Sequence, residues 1–202
     1  MNQAKNLQSR FELYMDQLAR VGQGEEVKAN EEYASLLNKE KSGKFCEKVI
    51  EEIIVKCGLE YVTGHNVEQQ GKLTKTGRTK RYCPDGYLPK LDLYIESKNF
   101  AFGSDGTASE KLLYAIAKAA RSDKKVVFVF GGRHDLLDTE VDKEIWDAWR
   151  GATSSGNAIV DDMMKSAAVR NAIEDIVKLS KLEDWLLKKK ATMQEPQTSF
   201  HV

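Results

Sequence analysis

The apolar positions predict helices at both ends of the chain and one strongly patterned helix near residue 50. Met1 to Arg20 has an amphipathic pattern, which glycines then interrupt. The clearest helix runs from Gly43 to Cys57, because its apolar residues recur with a period near 3.6 and so share one face. Ser42 suits the N-cap of this helix and Gly58 suits its end.

Two segments in the middle of the chain have the patterns of strands. Lys90 to Phe100 alternates strictly between apolar and polar side chains, as a strand with one buried face does. Val126 to Phe130 is a continuous apolar run closed by two glycines, which favours a strand buried on both faces. Leu59 to Val67 is a third candidate strand, and Pro84 to Pro89 predicts a turn.

Further helices are predicted in the second half of the chain. One begins at Thr107 or Ser109 and runs to about Ser122, and one covers Asp138 to Arg150. Asn157 to Lys190 has a long amphipathic pattern, either continuous or broken near Lys165 to Asn171. The first of them joins the two strand-like segments described above. Those two strands are therefore expected to be parallel.

These elements predict an α/β (α+β) fold with a central mixed β-sheet flanked by helices. The core order is helix, three strands, helix and strand, over residues 43–132. Helical additions are expected over 1–42 and 138–190, and a loose tail over 191–202. The 202 residues are then expected to form a single domain.

The composition excludes several classes of protein. No apolar run is long enough to cross a bilayer, so no membrane partner is expected. Three cysteines are too few and too scattered for a disulfide framework, which favours a reducing compartment, the cytoplasm. The 31 basic and 31 acidic residues give no net charge, so any affinity for nucleic acid has to come from local clusters of charge.

Asp85, Glu96 and Lys98 are the residues whose spacing suggests chemistry. Residues two apart on a strand lie on the same side, about 7 Å apart, so Glu96 and Lys98 share a face and Asp85 faces them across a tight connection. Two carboxylates can hold Mg²⁺ while leaving places for water and a phosphate oxygen. The cation would lower the pKa of a bound water, and Lys98 would position that water or stabilise the phosphate oxygens.

These residues resemble the PD-(D/E)xK nuclease superfamily, to which many restriction endonucleases belong. Pro84-Asp85 matches the PD of the motif and Glu96-Ser97-Lys98 matches its ExK. The resemblance covers residues 43–132 and implies a restriction-endonuclease-like core. It implies catalytic roles for Asp85, Glu96 and Lys98, and we assign Asp85, Glu96 and Ser97 as the ligands of the metal.

The resemblance also implies a supporting catalytic glutamate on the first core helix, in a Gly-x-x-x-Glu setting. Gly43-Lys44-Phe45-Cys46-Glu47 matches that setting, so Glu47 is the candidate. Glu51 lies one turn later on the same helix and is the alternative.

The same motif also has a purely structural interpretation. Asp85-Gly86 would then be an ordinary turn, and Glu96 and Lys98 would belong to a solvated strand face. Against this, Tyr94 lies among those charges, which is compatible with a cleft face. Asp92 is a further carboxylate of this strand, but it lies about 13 Å along the strand from Glu96, so we expect it to be peripheral.

A basic segment from Gly71 to Arg81 precedes the motif and is predicted to be a polar loop or a hairpin tip. It contains five cations and no acidic residue: Lys72, Lys75, Arg78, Lys80 and Arg81. Contacts between cations and phosphates provide most non-specific affinity for DNA, so these residues are the DNA-binding candidates. An ordinary solvated loop is the alternative.

The resemblance implies a Mg²⁺-dependent endonuclease, most specifically a type II restriction endonuclease that cuts double-stranded DNA. A homodimer is expected, because one such centre cuts one strand. Trp146, Trp149 and Trp185 offer apolar surface for the dimer, or belong to the core. The alternatives are another nuclease of the superfamily (mismatch-nicking repair, homing or phage) and a DNA-binding protein with an inactive site.

Overall fold

The computed structural model describes residues 9–22, 42–64, 72–73, 79–80, 83–100, 115–120, 122–132, 135 and 167–194. The helices are α1 (Arg10–Gly22), α2 (Ser42–Lys56), α3 (Ala167–Ala172) and α4 (Leu182–Gln194), with a further helical segment at 115–119. The strands are β1 (Val62–Thr63), β2 (Lys72–Leu73), β3 (Thr79–Lys80), β4 (Gly86–Leu88), β5 (Leu93–Phe100), β6 (Lys125–Gly132) and β7 (Ile173–Lys178). A 3-10 turn, Leu179–Lys181, joins β7 to α4.

The described strands form a five-stranded mixed sheet and a separate two-stranded ribbon. The order in the larger sheet is β1-β4-β5-β6-β7. Its first two pairings are antiparallel and its last two are parallel. The predicted α+β class with a mixed sheet is therefore confirmed, and so is the parallel pairing of β5 with β6 across the helical segment.

Helix α2 forms where the apolar period predicted it. Its apolar side chains from Phe45 to Ile54 are buried against the sheet, which is the main source of stability for a helix of this length. Gly58 ends it with a φ of 69°, a conformation that glycine adopts without steric cost. The Lys190 ammonium of α4 donates to the Cys57 carbonyl at 2.8 Å and so satisfies an acceptor beyond the last turn of α2.

The sheet has an apolar cluster on each face. On the α2 face, Leu93, Ile95, Val127 and Val129 pack against residues of α1, α2 and α4. On the opposite face, a second cluster packs against the 115–119 segment and α3; its sheet residues are Tyr94, Val126, Phe128, Phe130, Ile173 and Ile176. Because side chains alternate along a strand, these two clusters fix which way every other strand residue points.

The predicted turn over Pro84–Pro89 is wrong at its centre, where Gly86–Leu88 form β4. β4 pairs with β5, with Tyr87 opposite Tyr94. The two tyrosine rings meet edge to face with their centroids 5.5 Å apart, and Leu88 is buried. This cross-strand packing outweighs the local turn propensity of Asp85-Gly86.

The predicted strand over Lys90–Phe100 begins later, at Leu93. The preceding residues form a turn in which the Leu91 amide donates to the Leu88 carbonyl at 3.1 Å. Asp92 has a φ of 53°, which aspartate tolerates better than most residues. Its carboxylate accepts hydrogen bonds from Tyr87 at 2.8 Å and from Lys124. Asp92 therefore shapes the β4–β5 turn.

The predicted long helix over Asn157–Lys190 is wrong at Ile173–Lys178, which form β7. β7 pairs with an edge of β6 that would otherwise expose unpaired backbone groups. Its apolar residues are buried, and its two acidic residues are paired: Glu174 with Lys125 and Lys189, and Asp175 with the Trp185 indole N–H at 2.7 Å. Trp185 packs against the cluster on the α2 face.

A buried polar network ties α1 to the carboxyl-terminal edge of the sheet. The Tyr14 hydroxyl donates to Asp135 Oδ2 at 2.7 Å and accepts from the Gly132 amide at 2.8 Å. Ser180 donates to the same carboxylate through its amide, at 2.8 Å, and through its hydroxyl, at 2.6 Å. Burial raises the pKa of Asp135, and these donors stabilise its charged form.

Several predicted elements lie outside the described residues. They are the first part of the N-terminal helix, the start of the helix at Thr107 or Ser109, the helix over Asp138–Arg150 with Trp146 and Trp149, and the tail beyond residue 194. Among the described residues, no helix has the length and apolar character that a membrane span requires.

Candidate active site

The backbone of Asp85 is held from both sides at the start of β4. Its amide donates to the Ile95 carbonyl of β5 at 3.0 Å. Its carbonyl accepts from the Gly64 amide at 2.9 Å and from the Tyr61 hydroxyl at 3.2 Å, both from the β1 side. Tyr61 and Gly64 were not among the predicted site residues, because their contacts with Asp85 depend on the pairing of β1 with β4.

Two glycines allow β1 and β4 to approach this closely. A Cβ added to Gly86 would lie 2.2 Å from the Tyr61 ring, and one added to Gly64 would lie 1.9 Å from the Pro84 carbonyl oxygen. Neither position has room for a larger residue without movement of its neighbours. Gly86 is therefore a strand residue required by close packing.

The Asp85 carboxylate is oriented by β5. The Ser97 amide donates to Asp85 Oδ2 at 2.7 Å, so the side chain lies against the strand that carries the ExK residues. Burial and the neighbouring Glu96 charge raise the pKa of Asp85 to about 6, although Lys98 and the Ser97 amide oppose the rise. A carboxylate in this setting favours an added cation, which would stabilise its charged form.

Glu96 and Lys98 form a close ion pair on the face of β5 opposite α2. Lys98 Nζ lies 2.6 Å from Glu96 Oε1 and 3.0 Å from the Ser97 carbonyl oxygen. Glu96 is 5% exposed, while the Lys98 side chain keeps 20% of its surface exposed. The predicted alternative of a solvated strand face is therefore wrong for Glu96, and Tyr94, which is 1% exposed, belongs to the core and does not line a cleft.

Ser97 lies between Glu96 and Lys98 on β5, so alternation places its side chain on the α2 face. The hydroxyl faces the Cys46 thiol of α2, whose pKa rises to about 12, mainly because the thiol is buried. The Ser97 carbonyl oxygen, in contrast, contacts Lys98 Nζ beside Glu96. Of the oxygen atoms of Ser97, the backbone carbonyl is therefore the one in contact with the Glu96–Lys98 pair.

Of the two candidate glutamates on α2, Glu47 and Glu51, Glu47 is the one whose charge acts on Asp85. Its charge adds slightly to the rise in the pKa of Asp85, which burial and the Glu96 charge mainly cause. Glu51 is exposed, and its charge contributes to the raised pKa of Tyr61. Glu47 thus acts on Asp85 through its charge, while Asp92 lies in the turn before β5, where it accepts a hydrogen bond from Tyr87.

The described residues contain no group of three or more histidine, cysteine, aspartate or glutamate side chains placed to hold one metal ion. The oxygen atoms that could bind a metal ion are those of the Asp85 and Glu96 carboxylates and of the Ser97 carbonyl. All three are hard oxygen donors, and Mg²⁺ is commonly held by one or two carboxylates together with water and substrate phosphate. The donor set therefore fits Mg²⁺, with Lys98 as the neighbouring fixed cation.

The basic segment is described only at its two strands. β2 and β3 pair with Lys72 opposite Lys80, so the chain forms the hairpin that was one of the two predicted alternatives. Lys75, Arg78 and Arg81 lie outside the described residues. The DNA-binding role of all five cations stays a prediction.

Comparisons with protein-family models, with curated proteins and with solved structures each found no match to this chain. Its function is therefore inferred from the geometry of Asp85, Glu96 and Lys98.

Proposed function

We propose that the protein is a Mg²⁺-dependent DNA endonuclease that hydrolyses phosphodiester bonds. The observation that carries the proposal is the convergence of Asp85, Glu96 and Lys98 on neighbouring strands, with Lys98 Nζ 2.6 Å from Glu96 and the Ser97 amide fixing the Asp85 carboxylate. A solvated structural pair would not require the burial that these carboxylates have.

Each residue has a distinct role in the proposed reaction. Asp85, Glu96 and the Ser97 carbonyl would hold Mg²⁺, which supplies charge stabilisation for the phosphoryl group and a bound water of lowered pKa. Lys98 holds its ammonium beside Glu96, where it stabilises negative charge on the phosphate oxygens during attack. Glu47 supports the site from α2.

The arrangement of the elements also supports the proposal. Helix α2, the antiparallel strands β1, β4 and β5, the 115–119 segment and the parallel strand β6 follow one another in the chain. This is the order that a restriction-endonuclease-like core requires. We propose that the chain has such a core, extended by β7 at one edge.

The most specific form of the proposal is a type II restriction endonuclease that acts on double-stranded DNA as a homodimer in the cytoplasm. A monomeric single site would cut one strand of a duplex and release nicked circles. Two copies acting together would convert a plasmid to linear molecules and then to discrete fragments.

Plasmid digestion tests the proposal. Purified protein is incubated with supercoiled DNA, with Mg²⁺ or with EDTA, and the products are separated on a gel. We expect cleavage only with Mg²⁺, and a loss of at least about 10³-fold in rate for Asp85→Asn and Glu96→Gln, which remove metal ligands. Asp184→Asn, an exposed position on α4, is the matched control and should cut normally.

The products distinguish the alternatives. Discrete fragments support a restriction endonuclease, whereas nicked circles or smears indicate another nuclease of the superfamily. Binding without any cleavage would indicate a DNA-binding protein with an inactive site. Cleavage that persists in both ligand variants would contradict the assigned site.

A further inference from the structure

Three residues on neighbouring parallel strands form one row across the sheet. Lys98 of β5 pairs with Phe130 of β6, and Phe130 pairs with Lys178 of β7. Residues in register on adjacent strands point to the same face, and strands lie about 4.8 Å apart. Lys178 is thus on the face that carries Glu96 and Lys98, with its Cα about 10 Å from that of Lys98.

The packing of β7 gives an independent assignment of that face. Ile176, two residues before Lys178, packs in the cluster that contains Phe128 and Phe130. Val177 packs in the cluster on the α2 face, where Asp175 also bonds to Trp185. Alternation along the strand then places Lys178 on the face of the proposed site.

The charge of the site is a reason to expect a second positively charged side chain on the same face of the sheet. Asp85 and Glu96 carry two negative charges when ionised, and Lys98 carries one positive charge that already contacts Glu96 and the Ser97 carbonyl. Without Mg²⁺, as in a binding experiment with EDTA, these three side chains leave an excess of negative charge on a surface that a phosphate anion has to approach. A second ammonium on the same face offsets part of that repulsion.

We propose that Lys178 contacts a backbone phosphate of the DNA next to the one held at Asp85, Glu96 and Lys98. This contact positions the DNA strand across the row of residues formed by Lys98, Phe130 and Lys178. Lys178 is then a DNA-positioning residue, outside the basic segment of residues 71–81, that makes the sheet itself part of the binding surface. This inference rests on the proposed nuclease function.

The competing role for Lys178 is structural. Its charge lowers the pKa of Asp135, the buried carboxylate that also bonds to Tyr14 and Ser180. A lysine that served only as a counter-charge to Asp135 would change stability when removed. It would not change how DNA binding responds to salt.

The experiment measures the affinity of a random-sequence DNA duplex in EDTA, so that the duplex is not cut, at several salt concentrations. Lys178→Met keeps the aliphatic part of the side chain. We expect it to weaken binding several-fold at low salt and to reduce the slope of log affinity against log salt by about one. Lys178→Arg should restore the slope, and Lys188→Met, an exposed position on α4, should leave it unchanged.

The outcomes separate this inference from the proposed function. If the unmodified protein neither binds DNA nor cuts it with Mg²⁺, the proposed function fails. If it binds and cuts while Lys178→Met lowers thermal stability but keeps the slope, only the inference fails. If Lys178→Met does not fold, the slope is read on Asp135→Asn/Lys178→Met, which removes both charges of the pair, and an unchanged slope there overturns the inference.

Discussion

At the scale of single residues, the site depends on contacts that fix Asp85 and on the pairing of Glu96 with Lys98. The spacing of Glu96 and Lys98 could be predicted, because alternation along a strand is a local property. The three backbone hydrogen bonds of Asp85 could not be predicted from the sequence. Two of their partners, Tyr61 and Gly64, lie in or next to β1, more than twenty residues earlier in the chain. Sequence patterns contain little information about such non-local contacts.

Lys98→Met is expected to reduce the rate of cleavage by about 10²-fold or more while DNA affinity changes little. In the proposed reaction Lys98, whose Nζ lies 2.6 Å from Glu96, acts on charge that develops at the phosphate in the transition state. Single-turnover cleavage and binding titrations, run side by side, measure the two effects. Lys124→Met is the matched control, because Lys124 also pairs with a carboxylate, that of Asp92.

Normal cleavage by Lys98→Met would assign Lys98 to the surface of the strand and remove it from the mechanism. A parallel loss of cleavage and of thermal stability would point instead to a structural role for the ion pair with Glu96. Thermal unfolding of each variant is therefore recorded before the kinetics.

Glu47→Gln is expected to reduce cleavage less than Asp85→Asn does. The Glu47 charge adds only slightly to the raised pKa of Asp85, which is consistent with a supporting role. Cleavage rates across a range of Mg²⁺ concentrations give the measurement. A silent Glu47→Gln together with a damaging Glu51→Gln would mean that the wrong helix position had been assigned.

At the scale of elements, the helices and strands whose apolar residues follow one clear period could be predicted. Elements whose apolar and charged residues follow no single period could not be predicted. Helix α2 and strand β6 have apolar patterns that admit one interpretation. β7 has two adjacent acidic residues, which obscure the alternation, and its register with β6 shifts between Val126 and Val127. Its strand conformation depends on the open edge of β6, which only the assembled sheet provides.

Gly86→Ala tests the close approach of β1 and β4. The added Cβ would lie 2.2 Å from the Tyr61 ring, so the ring has to move away from its hydrogen bond with the Asp85 carbonyl. Overpacking of this kind costs about 1–3 kcal/mol of unfolding free energy, and the shifted Asp85 should slow cleavage as well. Denaturant unfolding and plasmid cleavage are the two measurements.

The double variant Gly86→Ala/Tyr61→Leu supplies the control for that prediction. If the clash with the ring is the cause, the loss of stability in the double variant is smaller than the sum of the losses in the two single variants. Additive losses would show that Gly86 is needed for some other reason.

At the scale of the whole molecule, the net charge is zero, but a DNA duplex would still encounter local clusters of charge. The 31 basic and 31 acidic residues cancel, and several described ion pairs, such as Lys125 with Glu174, lie at the end of the sheet where β5 and β6 begin. The site face, in contrast, carries Glu96 and Lys98 near the carboxyl-terminal ends of the parallel strands. The mixed sheet could be predicted from the order of elements, whereas the distribution of charge required the fold.

The basic segment of residues 71–81 should supply most of the non-specific affinity for DNA. Its five cations in eleven residues include no acidic neighbour, and the β2–β3 hairpin brings Lys72 and Lys80 into register. Replacing Lys72, Lys75 and Arg78 with alanine should weaken binding to all sequences alike, because phosphate contacts carry no sequence information. The slope of log affinity against log salt should fall by about one for each phosphate that the variant no longer neutralises.

A triple replacement of exposed lysines elsewhere, Lys90, Lys181 and Lys188, removes the same total charge and should leave the slope nearly unchanged. Equal effects from the two triple variants would mean that net charge, and not the hairpin, governs attraction to the duplex.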